Sequence, residues 1–329
     1  MGYNRDNFKR IRAEYETKTF RAQEEADIRR SELYLQIPAL RALDSRLSGF
    51  ALQIMQASLR GENTEEAIAA LREENDKIRA ERAALLLQNG YPFDYTEPRY
   101  ECEACRDTGY VGIKMCACMK RKLIEAGMES SGLSALMKKQ SFDNFSLDFY
   151  KANPREHKIM QSTYAAVRAY AEKFTIEAGK PMPQSLLFYG GTGLGKTHLS
   201  TALAKRVIER GFDVSYTSAI NLFGSFETAR FGSSTAGEGG SDPARYRECD
   251  LLIIDDLGTE FTNQFTVSCL YMVINHRLNA GLPTVVSTNL SPKEIKERYV
   301  ERVSSRLLGE FKPILFVGTD VRRQKLTRT

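Results

Sequence analysis

The chain has 329 residues, 42% of them hydrophobic and 27% charged, with a formal net charge of +5. That length allows two or three packed domains. No apolar run reaches the length of a membrane span, and the start Met1-Gly2-Tyr3-Asn4-Arg5-Asp6 lacks a signal-peptide core, so a cytoplasmic protein with no membrane partner is expected. The ten Lys/Arg and five Asp/Glu between Lys293 and Thr329 carry the whole net charge. Such a basic segment suits a phosphate-rich neighbour, nucleotide or DNA, or is a solvated basic face.

Residues 1–90 read as a charged helical arm. Phe8, Ile11 and Tyr15 begin a loose stripe, and Pro38 interrupts the pattern. Leu40, Leu43, Leu47, Phe50 and Ile54 then step by three and four, as in a coiled-coil seam. Gly61-Glu62-Asn63-Thr64 breaks the run and offers a fresh N-cap. A second seam follows through Ile68, Leu71, Asn75, Ile78, Arg82 and Leu85, and Asn89-Gly90 ends it. Asn75 and Arg82 weaken this seam but can fix its register. Two seams with a short break predict an antiparallel hairpin or a coiled coil with a partner. The arm either docks another protein or packs on its own chain.

Residues 91–120 hold Cys102, Cys105, Cys116 and Cys118, four of six cysteines within seventeen residues. In a reducing compartment this clustering argues for metal rather than disulfides. A C-x-x-C knuckle followed by Gly109 and Gly112, closed by Cys116 and Cys118, predicts a structural zinc site with four cysteine ligands and no open position. A redox dithiol is the alternative, without a thioredoxin-like pattern around it. Cys249 and Cys269 lie in apolar surroundings and read as core.

Residues 121–180 read as linker and entry helices. A basic helical stretch runs over 119–140, with Lys120, Arg121, Lys122, Lys138 and Lys139. Ser141-Phe142-Asp143-Asn144-Phe145 is an aromatic turn. An amphipathic helix over 154–178 follows, with Ile159, Tyr164, Val167, Tyr170 and Phe174 apolar. Pro181 and Pro183 end it.

Residues 181–329 carry the strongest signals. The apolar run Ser185-Leu186-Leu187-Phe188-Tyr189 leads into Gly190-Gly191-Thr192-Gly193-Leu194-Gly195-Lys196-Thr197, which fits G-x-x-x-x-G-K-[ST], and a helical pattern from His198 follows. Strand, glycine loop and helix are the context a phosphate-binding P-loop needs. Its N–H groups curl around phosphate oxygens, and the helix start adds its positive dipole end. Gly190 through His198 form the predicted ATP-binding set. Lys196 reaches the outer phosphates and the Thr197 hydroxyl sits on Mg2+. A glycine-rich turn matching by chance is the bland alternative.

Val214-Ser215-Tyr216-Thr217 reads as a second strand and residues 232–243 as a glycine-rich loop. Arg230, Arg245 and Arg247 beside that loop suit DNA contact or a plain surface. Leu251-Leu252-Ile253-Ile254-Asp255-Asp256 is a buried parallel strand with two carboxylates at its C-terminal end, where such sheets bind ligands. Asp255 is expected to hold Mg2+, largely through water, and Asp256 to orient the attacking water. Pro283 to Asn289 reads as a fourth strand that sets Asn289 beside the γ-phosphate. Arg298, Arg302 and Arg306 fall on one face of a helix predicted over Glu297 to Leu308. One of them can meet a neighbouring subunit's nucleotide, or they pair with Glu294, Glu297 and Glu301. Ile314 to Val317 reads as the fifth strand.

In this order, the P-loop, Asp255-Asp256, Asn289 and Glu301-Arg302-Val303-Ser304-Ser305-Arg306-Leu307 resemble the AAA+ ATPases of the DnaC/DnaI/IstB group over roughly residues 140–329. The resemblance implies an α/β domain with a five-stranded parallel sheet and flanking helices, from which this sequence is expected to depart in having no clear lid, because only twelve residues follow Val317. It carries Asn289 to the sensor I role and Arg306 to the arginine finger of an ATP-bound homo-oligomer. It sets Phe142-Asp143-Asn144-Phe145 near the adenine and single-stranded DNA at about residues 218–247. Asp256 stands where most AAA+ proteins have Glu, so slow hydrolysis is expected. Arg322 or Arg323 could substitute for a lid arginine. The helical arm and cysteine knuckle look like the front of DnaI-type primosomal loaders. The function this implies is ATP-dependent loading of the hexameric replicative DNA helicase. An IstB-like transposition helper, or a nucleotide-gated adaptor with negligible turnover, is the alternative.

Overall fold

A computed structural model describes residues 3–59, 64–133, 139–176, 179–232 and 243–327. Gly61-Glu62-Asn63, Lys138 and the glycine-rich loop from 233 to 242 lie outside them. Two compact units are present: Ile11–Met119, and Met1–Arg10 with Lys120–Thr329.

The first unit is built on α1 (Arg5–Gln36), α2 (Pro38–Leu59) and α3 (Thr64–Gln88). The loose stripe seen in the sequence is part of one unbroken 32-residue helix. Its buried positions are Ile11, Tyr15, Ala22, Ala26 and Leu33, stepping by four and seven. Two of the five are alanines, so the seam is shallow in hydrophobicity although regular in spacing. Pro38 opens α2, where a missing N–H costs nothing. The predicted hairpin is present as α2 against α3, with Leu43, Phe50 and Ile78 buried between them and Leu47, Leu71 and Leu85 alongside. Arg82 does what a polar seam residue can do for register. Its Nε donates to Asp44 at 2.5 Å and its Nη2 to Thr96 Oγ1 at 2.5 Å, and Tyr34 OH donates to the same Asp44 carboxylate at 2.8 Å. The short hairpin β1 (Tyr110–Val111) and β2 (Lys114–Met115) completes this unit, and α4 (Ala117–Ser130) follows.

The second unit takes in α4 from Lys120 onward and continues with a 3-10 turn at Leu147–Tyr150 and α5 (Pro154–Lys173). Asn153 caps α5 by accepting from the N–H groups of Arg155 and Glu156, with Pro154 next in line. The elements that follow are β3 (Leu186–Tyr189), α6 (Lys196–Glu209), β4 (Val214–Ser218), α7 (Ala219–Phe231), α8 (Pro243–Glu248), β5 (Leu251–Leu257) and α9 (Gln264–Asn279). β6 (Thr284–Thr288), α10 (Pro292–Arg298), α11 (Glu301–Gly309), β7 (Lys312–Leu315) and α12 (Val321–Thr327) close the chain. The five long strands form one parallel sheet in the order β4-β5-β6-β3-β7. The apolar runs of β3, β5 and β6 are buried on both faces, whereas the edge strand β7 buries only Ile314. Phe188, Ile253 and Val285 face α5 and α6, whereas Leu187, Ile254 and Val286 face α7, α9 and α11. β3 thus lies between two later strands, and the C-terminal ends of β3, β5 and β6 are brought side by side.

Three sequence expectations are corrected. In the basic stretch over 119–140 the helix ends at Ser130 and Ser131 and Gly132 turn, while residues 134–138 lie outside the described residues. The helix from 154 ends at Lys173, and its buried line is Met160, Thr163, Val167 and Ala171, so Ile159 lies beside that line. The single helix over Glu297 to Leu308 is two helices, because Tyr299 and Val300 are extended. Arg298 therefore does not share a face with Arg302 and Arg306.

Candidate nucleotide site and cysteine cluster

β3 delivers Tyr189 to the P-loop, and α6 begins at Lys196. Gly195 has φ +87°, and a Cβ there would lie 2.7 Å from the Phe145 ring. No other residue type fits that corner without displacing the ring. The loop is held from outside by three contacts. Tyr150 OH donates to Leu194 O at 2.9 Å, Val321 N–H to Gly193 O at 3.0 Å, and Phe316 N–H to Tyr189 O at 2.9 Å. Lys196 Nζ donates to the carbonyls of Gly190 at 2.8 Å and Gly191 at 2.7 Å. The lysine is thus stored across its own loop, where an incoming phosphate would compete for it. Burial holds its ammonium below the usual lysine range; Asp256 and Asp255 counter this and Arg322 adds to it. Gly191 and Thr192 are exposed, Gly193 and Thr197 half-buried, and Leu194 buried.

Asp255 ends the regular part of β5 and is buried, with both carboxylate oxygens occupied. Tyr216 OH donates to Oδ2 at 2.7 Å, and Ser287 Oγ to Oδ1. The ladder between β5 and β6 then slips between Ile254 and Leu257. Asp256 occupies the slip with φ +55°. A left-handed aspartate in a strand is uncommon and turns the side chain out of the strand's alternation. Its N–H donates to Ser287 Oγ at 3.0 Å. Burial, then the Asp255 charge, raises the Asp256 carboxyl above the usual range, while Lys196 and Arg322 pull it down. The structure therefore brings Lys196, Asp255, Asp256 and Arg322 within electrostatic reach of one another. Tyr216 and Ser287 were not singled out from sequence. The available signal was a tyrosine and a serine inside otherwise apolar, doubly buried strands.

His198 faces the entry turn. Its Nε2 lies 2.8 Å from Ser141 O and 2.9 Å from Asn144 Oδ1. Both partners are acceptors, so Nε2 carries the proton, and burial lowers the ring's pKa. Phe145 meets the same ring edge-on at 5.2 Å and stacks with Tyr150 and Tyr164. Asn289 lies exposed one residue past β6. Arg306 is half-buried with its guanidinium 5.7 Å over the Tyr271 ring of α9. Arg298 clamps the turn after the aspartates, donating to Glu260 O at 2.7 Å and Thr262 Oγ1 at 2.9 Å. Glu260, buried, accepts from Gly258 N–H at 2.7 Å and from Tyr299 OH. Cys249 and Cys269 are buried, as core positions should be.

In the other unit, the four sulfurs of Cys102, Cys105, Cys116 and Cys118 lie within 4.8 Å of one another. Tetrahedral zinc–thiolate geometry at about 2.3 Å per bond sets sulfurs about 3.8 Å apart. Cys102–Cys116 at 3.9 Å and Cys105–Cys118 at 3.5 Å fit that size. Asp107, buried with φ +56°, orients the knuckle by accepting from the N–H groups of Glu101 at 2.8 Å and Cys102 at 2.9 Å. The Cys105 N–H pulls the Cys102 thiol down to about 7, whereas burial pushes Cys105 up to about 12. A bound metal would take all four as thiolates.

A P-loop on the first strand of this sheet, with paired aspartates on the third, defines an AAA+-type ATP-binding protein. The chain belongs to the IstB-like ATP-binding protein family, which it matches over residues 133–304, just over half its length. It is similar to the chromosomal replication initiator protein DnaA of Zymomonas mobilis, with 32% identity over 56% of this chain and 34% of that protein. It is also similar to the replicative helicase loader DnaC of Buchnera aphidicola subsp. Acyrthosiphon pisum, with 25% identity over 54% of this chain and 66% of that protein. A crystal structure of DnaI shares 16% identity at a TM-score of 0.45, covering 56% of this chain and 95% of that one. The chain thus matches a third of the first relative's length and just under two thirds of the second's. It is related to the DnaA, DnaC and IstB replication-initiator group as a whole, and the DnaI type is not singled out. Among the described residues no helix is long and apolar enough to cross a membrane.

Proposed function

We propose that this chain is a slow ATPase that, when ATP-bound, holds a DNA-processing enzyme and releases it on DNA after hydrolysis. The convergence of Lys196, Asp255 and Asp256 at one end of the sheet carries this reading. Lys196 and Thr197 would hold the phosphates and Mg2+, Asp255 would hold the metal through water, and Asp256 would orient the attacking water. Asp256 is shorter than the usual glutamate, so turnover is slow. Asn289 would sense the γ-phosphate. Arg306, which touches Tyr271 in its own chain, would act on a neighbouring copy's nucleotide in an ATP-bound homo-oligomer.

Membership of the IstB-like family favours a helper ATPase of transposition. A separate observation favours a loader of the hexameric replicative helicase: a helical arm and a four-cysteine cluster precede the core, and DnaC is among the similar proteins. In that reading the arm and a zinc-filled knuckle grip the helicase, while the core binds ATP and single-stranded DNA. The deciding experiment is native mass spectrometry of the ATP-bound protein mixed in parallel with the replicative helicase of the same cell and with a transposase on its DNA ends. A helicase complex lost on deleting residues 1–118 supports loading, and a transposase complex supports the helper reading. Binding of ATP without hydrolysis, with or without DNA, would replace the ATPase by a nucleotide-gated adaptor.

A further inference from the structure

We propose that Tyr216 is the positioning residue of the magnesium carboxylate Asp255, and that the backbone at Ser131–Gly132 holds Tyr216 in place for it. The inference rests on the ATPase reading and deepens it. Tyr216 lies on β4, the outermost strand of the sheet, whose outer edge is unpaired by any other strand among the described residues. That edge is closed at one point: Tyr216 N–H donates to Ser131 O at 2.6 Å. Gly132 approaches so closely that a Cβ would lie 2.2 Å from Tyr216 O, and its φ of +86° suits glycine. Ser131 is itself fully buried and anchored, its hydroxyl donating to Met128 O at 2.8 Å. Tyr216 is therefore gripped by its backbone while its hydroxyl reaches Asp255 Oδ2 at 2.7 Å. The phenol hydroxyl donates and the Asp255 carboxylate accepts.

With Ser287 on the other oxygen, Asp255 has one hydroxyl on each side and a defined plane for its free lone pairs. Partners that orient a metal-binding carboxylate are typically worth about 10–100-fold in metal affinity or activity. Tyr216→Phe removes only the hydroxyl, and Gly132→Ala forces the backbone contact to shift with the hydroxyl still present. The test titrates Mg2+ against binding of a fluorescent ATP analogue and against ATP hydrolysis, with thermal melts as a check on folding. Tyr216→Phe should raise the half-saturating Mg2+ by about tenfold or more, while affinity for the analogue in EDTA stays the same. Gly132→Ala should shift the same midpoint in the same direction. The double variant should shift no further than Tyr216→Phe alone, because both act through one hydroxyl. An unchanged Mg2+ midpoint in a folded Tyr216→Phe protein overturns the proposal and leaves the ATPase reading standing. Loss of analogue binding in EDTA to the same extent as with Mg2+ would assign Tyr216 a merely structural role. No Mg2+-dependent binding by the unaltered protein would overturn both.

Discussion

Arg277 offers the sharpest test of what holds the site's strands in register. It lies on α9 with no solvent exposure, and burial lowers its pKa. Its guanidinium donates to Thr284 Oγ1 at 2.9 Å, Pro283 O at 2.7 Å, Cys249 O at 2.9 Å and Tyr246 O at 3.1 Å. These acceptors stand at the start of β6 and just ahead of β5, the strands that present Ser287 and Asp255. Hydrogen bonds to a charged group contribute about 1.5–3 kcal/mol each. Four of them are offset by several kcal/mol of desolvation for the buried cation. Truncation leaves the acceptors buried and unpaired, and a net loss of about 3–5 kcal/mol is expected for Arg277→Met. In a unit of this size each kcal/mol is about 2–4 °C in Tm, so the melt should fall by about 6–20 °C. Arg277→Lys should recover little, because a compact ammonium cannot span both groups of acceptors as the planar fork does. Thermal unfolding followed by circular dichroism reads both variants. A methionine variant melting within about 2 °C of the parent would refute the clamp, since so small a shift is under about 1 kcal/mol.

Lys196→Ala should abolish ATP binding and leave the helical arm folded, and unchanged affinity for a fluorescent ATP analogue would sink the P-loop assignment. The cysteine cluster should release about one zinc per chain to a colorimetric chelator after thiol modification, and Cys105→Ser should lose it; protein purified with only trace zinc would count against a zinc site. Asp250 titrates in the opposite sense to a salt-bridged carboxylate. Burial pushes it up to about 6, the Asp213 carboxylate adds to this, and the Asp213 N–H at 2.9 Å opposes it. The folded state then holds a proton that the unfolded chain releases near pH 4, so stability falls as pH rises from about 4 to about 6, by about 2–3 kcal/mol. Asp250→Asn should therefore melt higher than the parent at pH 8 and converge with it near pH 4. A variant that is less stable at pH 8 would contradict this.

The candidate nucleotide site at the C-terminal end of the sheet was legible because its motifs are local. A P-loop is eight consecutive residues between a strand and a helix, and the aspartate pair directly follows an apolar strand. The four-cysteine cluster was legible for the same reason, since seventeen residues contain all its ligands. α1 was harder, because two of its five buried positions are the alanines at 22 and 26, which add little hydrophobic signal to the stripe. The break at Tyr299–Val300 was hidden by a helical run of charges, and its cause is distant: Tyr299 OH reaches the Glu260 carboxylate across the fold. A contact 39 residues away outweighs a weak local preference.

The least legible feature is how Asp255 is held, because its partners come from strands that adjoin β5 only in the folded sheet. Ser287 comes from β6 on one side, and Tyr216 from β4 on the other. A parallel sheet with this strand order places three C-terminal ends together, and a buried carboxylate there must have its oxygens satisfied. The serine and the tyrosine supply one hydroxyl each. The same Ser287 hydroxyl also accepts from the Asp256 N–H, so one side chain ties Asp255 to the left-handed residue beside it. The bulge that turns Asp256 outward and the bond that steadies Asp255 are therefore a single device. Ser287→Ala should disturb both aspartates at once, raising the Mg2+ requirement and lowering turnover together. Tyr216→Phe, which touches Asp255 alone, should act mainly on the metal. Equal ratios of the two effects in both variants would mean that the aspartates are not coupled through Ser287.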